Sequence, residues 1–255
     1  MRWSTIVPAF AVLGIAMLPS GGALAACTAS TIAGLAGFLA DGAITSNGNS
    51  VPAAAVGLAT FDGATKVSGS LTYSVNGQIS RGVPFAGTYS LSASDKCIFV
   101  MSTNLLNVDF VLDATGDGFG IDVDTGRTLV FDFIPRQPSM TCAPSLVNGT
   151  YGLTLRGDRI GGDNPGPRAG AGWYSADGVS KLSGVEAQSE NGTIVSGSAV
   201  GTFSVNADCT GSGSVSASFN DGSRSFDMII LNGGATILGI QTDAGRVITF
   251  KLNKQ

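Results

Sequence analysis

The chain has 255 residues and a formal net charge of −4, with 14 Lys and Arg against 18 Asp and Glu. Only 13% of residues are charged and the cations are scattered, which argues against nucleic acid as a partner, because phosphate binding needs clustered cations. The 37 glycines follow no G-X-Y period, so collagen is excluded; with 44% apolar residues they read as tight turns between many short strands, not as disorder.

The first 26 residues read as an export signal. Met1-Arg2-Trp3 gives a short basic start, an apolar run extends from Ile6 to Leu18, Pro19-Ser20-Gly21-Gly22 breaks it, and Ala23-Leu24-Ala25 supplies small residues for cleavage. The mature chain is then expected to start at Ala26 or Cys27, in the periplasm or outside the cell, where paired cysteines oxidise. No later stretch approaches the ~20 apolar residues of a spanning helix, so no transmembrane helix is expected in the mature chain. Leu24-Ala25-Ala26-Cys27 also resembles a bacterial lipobox, whose cysteine would carry lipid. The Pro-Ser-Gly-Gly break argues against that rival, because a lipoprotein signal usually runs on directly.

The rest of the chain is a duplication. A shift of 115 residues lays Cys27-Thr-Ala-Ser-Thr-Ile-Ala-Gly34 over Cys142-Ala-Pro-Ser-Leu-Val-Asn-Gly149, and Gly37, Gly42, Asp62-Gly63 and Asn76-Gly77 over Gly152, Gly157, Asp177-Gly178 and Asn191-Gly192. After small length changes, Gly87-Thr-Tyr-Ser-Leu matches Gly201-Thr-Phe-Ser-Val, Cys97 matches Cys209, and Gly120–Arg127 matches Gly239–Arg246. The organisation read from this is a first repeat over 27–133, a linker with two prolines over 134–141, and a second repeat over 142–255. Four cysteines allow three connectivities, and the repeat symmetry selects Cys27–Cys97 and Cys142–Cys209. Closing loops of that length restricts the unfolded chain by about 4 kcal/mol each in the chain-entropy model. It also gives Cys27 a task other than carrying lipid.

Each repeat reads as β-favouring runs between turn dipeptides. In the second copy these are Gly149–Arg156, Ala169–Ala176, Lys181–Glu190, Thr193–Ala207, Cys209–Ser218, Arg224–Leu231, Ala235–Asp243 and Arg246–Asn253. Asp177-Gly178, Asn191-Gly192 and Asn232-Gly233 are hairpin signals, because those residues tolerate positive φ. The stretches Asp41–Pro52 and Arg156–Pro167 read as long, Gly-rich loops that could sit at a barrel mouth and carry binding. The expected fold is all-β: two tandem antiparallel meander barrels of about eight strands each, closure removing the exposed edges.

Three stretches carry a resemblance: Cys142–Gly152, Gly201–Gly211 and Ile240–Val247. They resemble a family of secreted bacterial proteins of unknown function that carry one or two small β-barrels similar to calycin or allene oxide cyclase barrels. The match covers most of 142–255 and, more loosely, 27–133. The first copy departs at Ser94-Asp95-Lys96-Cys97, with two extra residues and no Thr-Gly after the cysteine. The resemblance implies a fold and a location, not a substrate.

Chemistry is sparse. The chain has no histidine, which removes Ser-His and Cys-His nucleophile pairs and His metal sites together. With the cysteines in disulfides, thiolate zinc is not expected either. No cofactor and no catalytic residue is assigned. Asp113, Asp117 and Asp124 fall in a string that mimics a calcium loop, with oxygens at positions one, three and five, Gly at six and an acid at twelve. The bland alternative is a Gly-rich hairpin, and the aligned Asn232–Ile237 keeps the turn while losing every carboxylate. The motif Asp-x-Gly-Arg recurs at Asp124–Arg127 and Asp243–Arg246: either a polar clamp at a barrel mouth using Arg127 and Arg246, or a hairpin turn with a flanking ion pair. Trp173 and Tyr174 could gate a pocket or pack in the core.

Four functions compete. The first is a non-catalytic module holding a small apolar or amphipathic ligand inside a barrel. The second is a structural or adhesive envelope protein presenting tandem β units, its partner an envelope component. The third is an isomerase or cyclase resembling allene oxide cyclase, and the fourth, ranked last, an outer-membrane barrel. Cavity size separates the first two: interiors far below ~300 Å³ rule out a drug-sized ligand.

Overall fold

The computed structural model describes residues 27–92, 97–113, 116–135, 141–162, 164–219 and 222–255. The expected signal segment, 1–26, lies outside them, as does most of the expected linker. The chain forms two closed eight-stranded antiparallel barrels. The first contains β1 (Gly34–Ser46), β2 (Asn49–Phe61), β3 (Lys66–Val75), β4 (Gln78–Leu91), β5 (Ile98–Thr103), β6 (Asn107–Leu112), β7 (Gly118–Asp122) and β8 (Arg127–Pro135). The second contains β9 (Asn148–Arg159), β10 (Gly166–Asp177), β11 (Lys181–Glu190), β12 (Thr193–Val205), β13 (Thr210–Ala217), β14 (Ser223–Leu231), β15 (Thr236–Gln241) and β16 (Arg246–Lys254). Each is a meander closed by its first and last strands, β1 on β8 and β9 on β16. All eight strands expected in the second copy form, with shifted ends.

The disulfides are Cys27–Cys97 and Cys142–Cys209, the pairing that repeat symmetry selects. Cys27 therefore has no sulfur free to carry lipid. Strand β8 runs on through Ile134 and Pro135, two residues assigned to the linker from sequence.

The two expected binding loops are corrected. Asp41–Pro52 is a hairpin: β1 and β2 pair without interruption from Gly34↔Phe61 to Ser46↔Asn49. Asn47 and Gly48 turn it with φ of 51° and 79°, as Asn76-Gly77 and Asn191-Gly192 turn theirs. Arg156–Pro167 is likewise mostly strand, leaving only 160–165 between β9 and β10. Glycine makes the long strands possible. At Gly42 (φ +151°) a Cβ would lie 2.0 Å from the Thr128 carbonyl oxygen, and at the matching Gly157 (φ +144°) 1.9 Å from that of Val247. Those glycines, which looked like loop composition, let one backbone press on another.

Side chains alternate between an apolar interior and an outer wall. On β11–β13 the outer wall mixes serines (Ser183, Ser189, Ser196, Ser198, Ser212, Ser214 and Ser216) with the exposed Val185, Ile194 and Val200. One outer region is apolar on both barrels, and there they meet. Ile229, Leu231, Leu238, Ile240 and Val247 from β14–β16 pack against Leu39, Ala54, Val56 and Leu58 from β1–β2, with Ile134. Leu231, Leu238 and Ile240 are fully buried there. Leu231 lies against Gly37, where a Cβ would come within 2.7 Å of it. Polar bonds frame the contact. Thr72 Oγ1 donates to Asp227 Oδ2 at 2.9 Å, Ser74 Oγ to the Arg246 carbonyl at 2.7 Å, and Gly245 N to the Gly77 carbonyl at 2.9 Å. Arg156 grips Asp41 through Nε and Nη2, at 3.0 and 2.6 Å.

Candidate functional site

The two interiors are built on one ladder and filled differently. In the first barrel, Phe38, Phe61, Phe85, Tyr89, Phe99, Phe110, Phe131 and Phe133 point inward. Phe99 stacks on Phe110 at 5.3 Å, Phe110 on Phe133 at 5.4 Å, and Phe61 meets Tyr89 edge-on at 5.0 Å. Such rings fill space in few rotamers, and the void left, bordered by Ala59, Leu71 and Met101, is about 20 Å³.

The second barrel holds a cavity of about 70 Å³ at the same level. Apolar side chains form most of it: Leu153, Leu155, Ala176, Phe203, Met228 and Phe250. One wall is polar, made by Tyr174 from β10, Glu186 from β11, Arg224 from β14 and Gln241 from β15. They come together because the inward positions of β11 pass from Leu182 and Gly184 to Glu186, Gln188 and Glu190 along one face.

Glu186 is the centre of this wall. It is 2% exposed and accepts from Arg224 Nη1 at 3.0 Å and Nη2 at 2.6 Å, from Gln188 Nε2 at 2.5 Å, and from the Tyr174 hydroxyl. A bidentate guanidinium and two further donors satisfy both of its buried carboxylate oxygens. Burial, and then the Glu186 charge, pushes the Tyr174 hydroxyl far above the usual phenol range, so it is a fixed donor and not an acid–base group. Toward one end of the barrel, Arg168 Nη1 lies 2.5 Å from Glu190 Oε2, and Arg246 donates to Gln241 Oε1 at 3.3 Å. The charges of Glu186 and Arg224 offset each other, and the polar atoms of the wall bond mainly to one another.

The repeat shows that this cluster belongs to the second barrel alone. By ladder register Tyr174, Glu186, Gln188, Glu190 and Arg168 correspond to Ala59, Leu71, Tyr73, Val75 and Ala53. The common scaffold therefore does not require the polar wall.

Of the residues singled out from sequence, only Tyr174 and Arg246 face this interior. Trp173, next along β10, points outward and is 49% exposed; it neither gates the cavity nor packs in the core. Arg246 is buried, whereas the matching Arg127 is partly exposed, 3.4 Å from both Asp122 and Asp124 and donating to the Leu105 carbonyl. In both copies the Gly before the Arg has positive φ, 81° at Gly126 and 78° at Gly245, as a hairpin turn requires. The calcium-like string is pulled apart. Asp113 and Asp117 share the β6–β7 turn, where Asp113 Oδ1 accepts from Asp117 N at 3.1 Å. Asp124 lies beyond the other end of β7, about 17 Å along a five-residue strand. There it accepts from Asn107, whose side chain holds its carboxyl below the usual carboxylate range. Among the described residues, no three His, Cys, Asp or Glu side chains are grouped to hold a metal.

Glu186, Gln188, Glu190, Arg168, Arg224 and Gln241 were missed. Their signal was the alternation of β11, but its outward face (Ser183, Val185, Ala187, Ser189) reads as the more apolar one. A depression of about 650 Å³ lies on the outer wall of β10–β13, lined by Ser175, Ser183, Thr202, Ser214 and Ser216 and by the charged Asp177 and Lys181.

No family model and no curated protein matches the chain. The two closed barrels agree with the expected barrel repeats. Among solved structures, that of a provisionally assigned AttH protein from Nitrosomonas europaea is similar at 9% identity, over 87% of this chain and 92% of that one, with a TM-score of 0.27. At that score no functional argument is drawn from it.

Proposed function

We propose that the protein is an exported, non-catalytic binding module in which the second barrel takes a small, uncharged amphipathic molecule and the first is a solid scaffold. The carrying observation is the apolar cavity inside the second barrel with its Tyr174–Glu186–Arg224–Gln241 wall. A void of 70 Å³ is far below the ~300 Å³ of drug-sized sites, so the ligand class narrows to about three to five non-hydrogen atoms. A charged ligand would add an uncompensated charge to a wall whose own charges cancel, which favours a short alcohol, carbonyl compound or amide. At a ceiling of about 1.5 kcal/mol per atom, its affinity is no tighter than the millimolar to micromolar range. Melting the protein against short-chain alcohols, ketones, amides, carboxylates and amines tests this. A saturable rise with a neutral compound, lost in Ala176→Leu, is expected. No rise with any compound would leave the second reading, a structural or adhesive envelope module, which the aromatic-filled first barrel and the hydroxyl-rich outer wall favour.

A further inference from the structure

The contact between the two barrels uses different faces of the repeat, and each barrel also carries the face that the other one uses. The second barrel contributes β14–β16, through Ile229, Leu238 and Ile240; the first contributes β1–β2, through Leu39, Val56 and Leu58. In the aligned repeats, Leu238 and Ile240 correspond to Phe119 and Ile121, and Ile229 corresponds to Val111, since Val111 pairs with Phe119 as Ile229 pairs with Leu238. These counterparts are apolar and open to solvent: Phe119 is 60% exposed, Ile121 54% and Val111 43%, whereas Leu238 and Ile240 are at 0%. On the other side, Val56 and Leu58 correspond to Ala171 and Trp173, both exposed. Exposed apolar patches of this kind mark interaction surfaces.

We propose that copies of this chain associate head to tail, the β6–β8 face of the first barrel in one copy packing on the β9–β11 face of the second barrel in the next. The contact would repeat the one already made within each chain. Its finer parts recur as well. Gly77 and Gly245 meet backbone to backbone inside the chain, and their counterparts Gly192 and Gly126 are both glycine. Ser74, which donates to the Arg246 carbonyl, becomes Ser189, with Arg127 in place of Arg246. Several positions depart: Thr154 stands where Leu39 does, Thr128 where Val247 does, and Ala187 where Thr72 does. Asp113 stands where Leu231 does, and the Gln255 side chain lies over Gly152, the counterpart of Gly37. The contact between copies is therefore weaker than the internal one and depends on concentration. Because the two faces differ, it is heterologous, giving a ring where the rotation closes and a filament where it does not.

Sedimentation of the exported protein over a range of concentrations, beside Phe119→Asp and Trp173→Asp, tests this. Both positions are exposed, so neither substitution disturbs a core. The wild type is expected to grow in mass with concentration, and each variant to associate at least tenfold more weakly. A mixture of the two variants is expected to give a dimer and nothing larger, because each keeps the face that the other lacks. A wild type that stays monomeric throughout would overturn the proposal. So would association that persists in either variant alone, or a monomer that uses Phe119 and Ile121 to bind phospholipid vesicles instead.

Discussion

The first barrel is closed around rings and the second around an ion pair, on ladders that match strand for strand. Where the first has Ala59, Leu71 and Val75, the second has Tyr174, Glu186 and Glu190. The difference teaches that turns, disulfides and register define this repeat, while the interior is free to diverge. An aromatic filling is the simpler solution, since it leaves no polar group to satisfy. A buried Glu–Arg pair contributes little net stability compared with apolar residues of similar volume, so its presence in one copy calls for a task.

The most disruptive way to break the comparison is to move the carboxylate across it. Leu71→Glu places an acid in the first barrel among rings, with no guanidinium opposite. More than about 4 kcal/mol of destabilisation is expected, in the range reserved for unpaired buried charge. Urea unfolding that finds less than about 1 kcal/mol would mean the first interior is more polar or more open than its packing implies. Next comes Arg224→Met, which leaves Glu186 buried without its partner and should cost about 3–5 kcal/mol. Adding Glu186→Leu should recover most of that loss while removing the response to small neutral ligands. Recovery without loss of the response would separate the cavity from the polar wall.

The smallest effect lies in what the copies share. Asp62 Oδ1 accepts from the backbone N–H groups of Ala64, Thr65 and Lys66, and Asp177 Oδ1 from those of Val179, Ser180 and Lys181. These bonds, first those from Lys66 and Lys181, hold both carboxyls below the usual carboxylate range. A lowered folded pKa contributes stability that is present above the unfolded value of about 3.9 and is lost as the pH falls through the folded value. Urea midpoints measured below about pH 4 should therefore fall less steeply in Asp62→Asn and Asp177→Asn, and by similar amounts. An unequal response would show that the two turns, alike in sequence, are not alike in energy.

Much of the fold was legible in the chain. The Asn-Gly turns, the cysteine register and the 115-residue shift determine the strand count, the pairing and the meander. The long β1–β2 hairpin was not, because its glycines look like loop composition until the backbone approach at Gly42 is seen. The joint between barrels had a signal: Phe226–Leu231 carries apolar residues on both faces, with Met228 and Ile230 inward and Ile229 and Leu231 outward, as strands buried on both sides do. The polar wall was least legible. Its residues come from four strands of one copy, and repeat symmetry, which revealed the rest, is blind to what only one copy has.

The most direct test of the central claim reads both interiors at once. Methyl NMR of the protein, titrated with a short neutral alcohol or ketone, reports on Leu155, Leu182 and Met228 in the second barrel and on Leu71, Met101 and Leu112 in the first. Saturable shifts confined to the second barrel are the expected result. Shifts spread over both barrels, or none in either, would contradict the division into a binding barrel and a solid one.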